Sequence, residues 1–202
     1  EKAMSIKQLE ILDKVSYIDS SILILDDIID NSELRNNKPC LYKEVGIDNA
    51  IIEAQILLSE WKNALISLIQ ASSIKERRQL EILEKLNILI INIYEGERIG
   101  KNLAQIKDYS DQLIEKYIDM VTLFTGSHIR FGLEIWQLLA NKEIDEELSK
   151  ASLHIGIVRQ VYDDFEDYFP NHHEPFSDFL SESNRLPEVF FKKQITRARK
   201  QE

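Results

Sequence analysis

The stretch Val15-Ser16-Tyr17-Ile18-Asp19-Ser20-Ser21-Ile22-Leu23-Ile24-Leu25-Asp26-Asp27-Ile28-Ile29-Asp30 decides the reading. Val15, Ile18, Ile22, Leu25 and Ile29 recur at steps of three and four, the spacing of one face of an amphipathic helix. A helix is therefore expected from Ile11 to Ile29. The same stretch closes on Asp26, Asp27 and Asp30, whose spacing of three and four gathers them on one helical face. Unscreened carboxylates so placed repel by a few tenths of a kcal/mol per pair. They also stand in the last turn, where negative charge opposes the helix dipole. A cation must offset them.

The pattern returns as Asp163-Asp164-Phe165-Glu166-Asp167, at the end of a second stripe, Leu148, Ala151, Ile155, Val158, Tyr162 and Phe165. One such cluster is commonly a solvated acidic face. Two copies, each backed by an apolar stripe, argue for a site in which the clusters face each other across a bundle. Oxygen ligands without His or Cys at helical spacing point to a hard ion, Mg²⁺, rather than zinc or a di-iron centre. Mg²⁺ held by few carboxylates completes its shell with water and substrate phosphate, so a diphosphate substrate is implied. Arg35 and Gln160, beside the clusters, suit phosphate and metal-water hydrogen bonding.

The 202 residues hold 35 Asp+Glu against 25 Lys+Arg, a net charge of −10. That balance excludes a typical nucleic-acid binder, which needs cationic surface, and disfavours an anionic membrane. With 6 Gly and 4 Pro the chain lacks the turns of a β-sandwich or barrel, so the expected class is all-α. The length fits one domain, 1–202. Cys40 is the one cysteine, and no apolar run approaches the ~18 residues of a membrane span, which suits a reducing, cytoplasmic setting. The opening Glu1-Lys2-Ala3-Met4 has no signal-peptide core and no initial methionine, so a fragment is expected.

Further helices are expected from Asp48 as N-cap to Ala71, and from the capping box Ser73-Ile74-Lys75-Glu76 past Leu80, Leu83, Leu86 and Ile90 to Gly100. Another runs from Asp108 through Tyr117, Val121 and Phe124 towards Leu139, with Gly126 and Gly132 as weak points. The next starts near Asp145, and a short one spans Pro187 to Glu202. Asn31 to Gly46 reads as a polar connection, interrupted by Pro39. His172-His173-Glu174 reads as solvated loop between prolines, and Cys40 lacks a suitably placed His for a catalytic thiol.

The segment Leu23 to Pro39, with Asp26-Asp27-Ile28-Ile29-Asp30 and Arg35, resembles the first aspartate-rich motif of the trans-polyprenyl diphosphate synthase family. Val158 to Tyr168 resembles the second, Thr125-Gly126 the family's Lys-Thr-Gly, and Leu186-Pro187 its late Leu-Pro. The resemblance implies an isoprenoid-synthase-type helical bundle with a central cavity, and it covers the middle of a typical member, parts of both family termini being absent. It implies Mg²⁺-dependent ionisation of an allylic diphosphate and condensation with isopentenyl diphosphate. Asp26, Asp30 and Asp163 would ligate Mg²⁺, while Asp27, Asp164 and Asp167 act through water or neighbouring groups. Arg35 would stabilise the leaving diphosphate, with Gln160 and Thr125 beside it, and a homodimer is expected. Phe124, Phe131 and Tyr162 are candidate walls for the carbocation, with ordinary aromatic core the commoner role for each. Ser21 and Ile22, at the positions where a bulky aromatic stops chain growth, imply a deep pocket.

The chain departs from the family at several cations. Asn36 stands for a second arginine, Phe124 for a lysine, His173 and Ser183 for two later lysines, and Gly96-Glu97-Arg98-Ile99-Gly100 for a Gly-Gln segment with a following aspartate. Each lost cation removes a charge-assisted bond to phosphate, roughly 1.5 to 3 kcal/mol. Two alternatives follow: a relative that passes the prenyl cation to another acceptor, such as a peptide, or cyclises it, and a noncatalytic subunit of a heteromeric synthase.

Overall fold

Helices dominate the computed structural model, which describes residues 16–36, 38–72, 74–106, 110–166, 168–169 and 184–199. The all-α class expected from composition is what the chain adopts. It divides into two compact units, residues up to Ile74 and residues from Lys75 onward. Among the described residues no helix is long and apolar enough to cross a membrane.

In the first unit, α1 (Ser16–Asp30) leads through a hairpin, β1 (Leu34–Arg35) and β2 (Lys38–Pro39), to the short α2 (Leu41–Val45) and the long α3 (Ile47–Ala71). The connection expected to be merely polar thus contains structure. Leu34 pairs with Pro39 and Arg35 with Lys38, and Asn36 turns the chain at φ 53. Beyond it Cys40, Tyr42 and Ala50 form a small core with Ile24, Ile28 and Leu41 packed against them. This apolar anchor orders the segment. The N-cap of α3 is Gly46 at φ 86 rather than Asp48, a left-handed conformation that glycine adopts without strain. Small residues on α3, Ala50 and Ala54, let α1 pack close, with Leu58, Trp61 and Leu65 continuing the buried face.

The second unit contains α4 (Glu76–Leu103), α5 (Asp111–Val121), a π-helical turn (Thr122–Gly126), α6 (Ser127–Leu139), α7 (Glu146–Glu166) and α8 (Leu186–Arg199). The expected cap residues Ser73 and Asp108, and the loop with His172, His173 and Glu174, lie outside the described residues. Asp145 caps α7 as expected, its Oδ1 accepting the N–H groups of Glu147 and Leu148 at 3.1 Å. At the other end of the unit Asn184 donates to the carbonyls of Leu103 and Ile106 at 2.7 and 2.8 Å, tying the start of α8 to the end of α4.

Two buried faces differ from those expected. On α4 Leu86 is buried and Leu83 and Ile90 half-buried as expected, but Leu80 is exposed, Ile82, Leu89, Ile93 and Gly96 complete the buried row, and the helix runs through Gly100 instead of ending there. On α7 the buried row is Ser149, Ser152, Gly156 and Asp164, while Leu148, Ile155, Val158, Tyr162 and Phe165 are exposed. Glycine contacts explain both rotations. A Cβ on Gly96 would meet the Phe124 backbone N at 3.0 Å, and one on Gly100 would meet Met120 Sδ at 3.0 Å. One on Gly156 would lie 2.7 Å from Gly126 Cα and 2.8 Å from the Thr125 carbonyl. These backbones approach only if the glycines face inward, which turns the larger residues away.

Below that contact, Glu134 of α6 is buried and joins three elements. Lys85 of α4 donates to it at 2.8 Å, Ser149 of α7 also donates, and Arg130 lies 3.6 Å away. Burial alone would raise its pKa, but the bonds from Lys85 and Ser149 and the two cations hold it below the ordinary carboxylate range.

The glycine contacts give a paired expectation. Gly156→Ala gains about 1 kcal/mol of helix propensity but forces backbone apart, and overpacking of about 1–3 kcal/mol leaves a net loss. Gly132, with nothing within 4 Å of its added Cβ, gains on substitution by alanine, about 0.5–1 kcal/mol. Urea unfolding of both variants checks this, and a Gly156→Ala protein as stable as Gly132→Ala contradicts it.

Candidate active site

Each aspartate cluster sits at the C-terminal end of its helix, and in each the two adjacent carboxylates take different environments. In the first unit Asp27 is buried, Asp26 half-buried and Asp30 exposed. The required cation is Arg35. Asn31, at φ 54, ends α1, with the Ser32 N–H bonded to the Asp27 carbonyl at 3.0 Å and the Asn31 N–H to the Ile28 carbonyl at 3.4 Å. The hairpin then brings Arg35 back, its Nε donating to Asp27 Oδ1 at 2.7 Å and its Nη2 to Asp26 Oδ2 at 3.1 Å. Burial works against the Arg35 charge, but the bond to Asp27 and the two carboxylates outweigh it and raise its pKa. Ser21 is fully buried on α1 and Ile22 half-buried.

In the second unit Asp163 is partly exposed and paired with Arg159, Nη2 to Oδ1 3.1 Å, an i,i+4 pair on the surface of α7. Exposed pairs of this kind contribute about 0–1 kcal/mol and open readily. Asp164, one residue on and about 100° around the helix, is only 3% exposed. Tyr117 of α5 donates to its Oδ2 at 2.5 Å, and Gln160 Nε2 to its Oδ1 at 2.9 Å. Thr125, in the π-helical turn, donates its hydroxyl to Gln160 Oε1 at 2.5 Å. Burial raises the Asp164 pKa more than the Arg185 charge and the bonds from Tyr117 and Gln160 lower it.

Of the residues expected at the site, Asp26, Asp27 and Arg35 therefore converge in the first unit, and Asp164, Gln160 and Thr125 in the second. The hydrogen bonds of Gln160 and Thr125 are to each other and to Asp164. Asp167, and with it the positions of His173 and Ser183, lies outside the described residues. Phe124 is half-buried against Gly96, Phe131 is buried in α6, and Tyr162 is exposed. The sequence reading missed Tyr117 and Arg185. The signal for Tyr117 was a tyrosine on the buried stripe of α5, since a buried phenol needs a partner for its hydroxyl.

Among the described residues no three carboxylate, imidazole or thiol groups converge to cage an ion by themselves. Asp26, Asp30 and Asp163 are the more exposed carboxylates, Asp27 and Asp164 the buried ones.

A family model described as polyprenyl synthetase matches residues 2–177. The short chain isoprenyl diphosphate synthase of Methanocaldococcus jannaschii is 28% identical over 76% of this chain and 45% of its own length. The geranylfarnesyl diphosphate synthase of Natronomonas pharaonis is 28% identical over 76% of this chain and 43% of its own. The chain thus spans under half the length of these relatives. Among solved structures, the octaprenyl pyrophosphate synthase of Helicobacter pylori shares the fold at a TM-score of 0.75, with 21% identity over 94% of this chain and 60% of that one.

Arg35→Met keeps the stem and removes the cation, leaving the buried Asp27 carboxylate unpaired at a cost of about 1–3 kcal/mol. Adding Asp27→Asn recovers most of that loss, because the two residues form one interaction. Thermal unfolding of the single and double variants measures it, and a double variant that loses the sum of both singles contradicts the pairing.

Proposed function

This chain belongs to the polyprenyl synthetase family, and we propose that it serves Mg²⁺-dependent prenyl transfer, ionising an allylic prenyl diphosphate and condensing it with isopentenyl diphosphate. The observation that carries this is the repeated division of labour at the two helix ends. In each cluster one carboxylate is buried and hydrogen-bonded by the protein, while its neighbour is less buried and held by an arginine at 3.1 Å, Asp26 by Arg35 and Asp163 by Arg159. A purely structural subunit has no need of that arrangement, since the buried acids would be replaced by apolar residues at little cost.

Asp26, Asp30 and Asp163 would hold the ions. When bound, Mg²⁺ neutralises the charge that develops on the departing diphosphate. Arg35 orients Asp26 and Asp27 and retains further N–H donors for phosphate oxygens. Thr125, Gln160 and Asp164 form a fixed hydrogen-bonded floor beside Asp163. Phe124, in place of a lysine, offers an apolar surface where the family has a cation. Ser21 and Ile22, in place of a bulky aromatic, would not stop a growing chain. The same reading makes the protein a homodimer, and its lone thiol suits the cytoplasm.

Incubation with Mg²⁺ and labelled geranyl or farnesyl diphosphate, with and without isopentenyl diphosphate, tests the proposal. Elongation that needs both substrates is expected, and Asp26→Ala and Asp163→Ala should each lower turnover by about 100-fold or more. Diphosphate release without elongation would assign the cation to another acceptor. No turnover would leave a noncatalytic role.

A further inference from the structure

We propose that Tyr117 is a positioning residue of this site: from α5 its hydroxyl holds Asp164, and Asp164 in turn fixes Gln160 and Thr125, so that the adjacent Asp163 is presented for the ion. The inference rests on the Mg²⁺-diphosphate reading above and assigns a role to a residue outside either aspartate cluster.

The geometry carries it in three steps. First, both Asp164 oxygens are engaged by the protein, Oδ2 by Tyr117 at 2.5 Å and Oδ1 by Gln160 at 2.9 Å. Asp164 is also only 3% exposed, which leaves little surface for an ion, whereas Asp163 is engaged in an exposed pair with Arg159. Second, the bonds run in one direction. The Thr125 hydroxyl proton goes to Gln160 Oε1 and the Gln160 amide proton to Asp164, so the carboxylate is the acceptor on which the chain ends from one side and Tyr117 closes it from the other. Third, the chain adjoins closely packed backbone. Thr125 lies in the π-helical turn, with Gly126 against Gly156 and Phe124 against Gly96. Such turns recur at functional sites.

Packing alone does not call for this arrangement. Tyr117 is fully buried and Asp164 nearly so. Burying a carboxylate costs several kcal/mol unless it is well hydrogen-bonded, and a phenylalanine with an apolar partner would fill the same space more cheaply. The pair instead keeps an acceptor rigid, one residue from the proposed ion ligand. Arg185, at the start of α8, adds a charge whose field reaches Asp164, and its Nη1 lies 3.4 Å from Met120 Sδ on α5. The chain is therefore faced by α5, the π-helical turn and the start of α8.

Tyr117→Phe in the full protein tests the proposal, with Asp164→Asn as a second variant should the first not fold. Two readouts are taken: Mg²⁺-dependent binding of inorganic diphosphate by titration calorimetry, and steady-state turnover with allylic and isopentenyl diphosphates. The expected result is a folded Tyr117→Phe protein whose Mg²⁺ requirement rises and whose kcat falls by about 10- to 100-fold, with little change in KM for isopentenyl diphosphate. The double variant should lose no more than the worse single. A folded Tyr117→Phe protein with wild-type kcat and wild-type Mg²⁺ dependence overturns the proposal, even if it is less stable, and so do fully additive losses. If the wild-type protein itself binds no diphosphate with Mg²⁺, the functional reading falls and the proposal with it.

Discussion

A pair of adjacent carboxylates in the last turn of a helix is the constraint around which this protein is arranged. Successive residues point about 100° apart, so when one member of each pair turns inward the other is less buried. The inward acids, Asp27 and Asp164, are 4% and 3% exposed, and neither is stable there without donors. The first unit supplies Arg35 by folding a hairpin back onto α1, and the second supplies Tyr117 and Gln160 from α5 and α7. Much of the local architecture serves these bonds: the left-handed Asn31 and Asn36, the small core under Cys40 and Tyr42, and the π-helical turn.

The helical class and the aspartate clusters were legible because each rests on a short-range rule, apolar spacing in one case and like-charge crowding in the other. The need for a cation near Asp26 and Asp27 was legible too, but it was read as an ion; that Arg35 itself reaches both carboxylates was not. The face of α7, and Leu80 on α4, were not. Periodicity weighs large apolar residues, so Leu80, Leu148, Ile155 and Val158 appeared to point inward. The structure instead turns Gly96, Gly100 and Gly156 inward, because the helix backbones and Phe124 come too close for a side chain. A missing Cβ leaves no mark in a hydrophobic pattern. Tyr117 was hidden for a related reason: on its own helix it is one more buried aromatic, and its partner lies 47 residues away.

Two of the departures from the family have local explanations. Asn36 holds a positive φ in the hairpin that returns Arg35, a conformation asparagine tolerates better than arginine. Phe124 packs its Cβ against Gly96 at the π-helical turn, where it serves the close approach of that turn to α4. These two replaced cations thus stand where the backbone is constrained, at a positive φ and at a close helix approach, while Asp26, Asp30 and Asp163 are retained.

The central claim is that the outward carboxylate of each pair binds and the inward one holds. Titration calorimetry of Mg²⁺ with inorganic diphosphate on Asp26→Asn and Asp27→Asn addresses it most directly. The account predicts that Asp26→Asn weakens Mg²⁺-dependent diphosphate binding by about tenfold or more, whereas Asp27→Asn lowers the unfolding midpoint and changes binding less. Equal losses of affinity in the two variants, or a larger loss in Asp27→Asn, would contradict it.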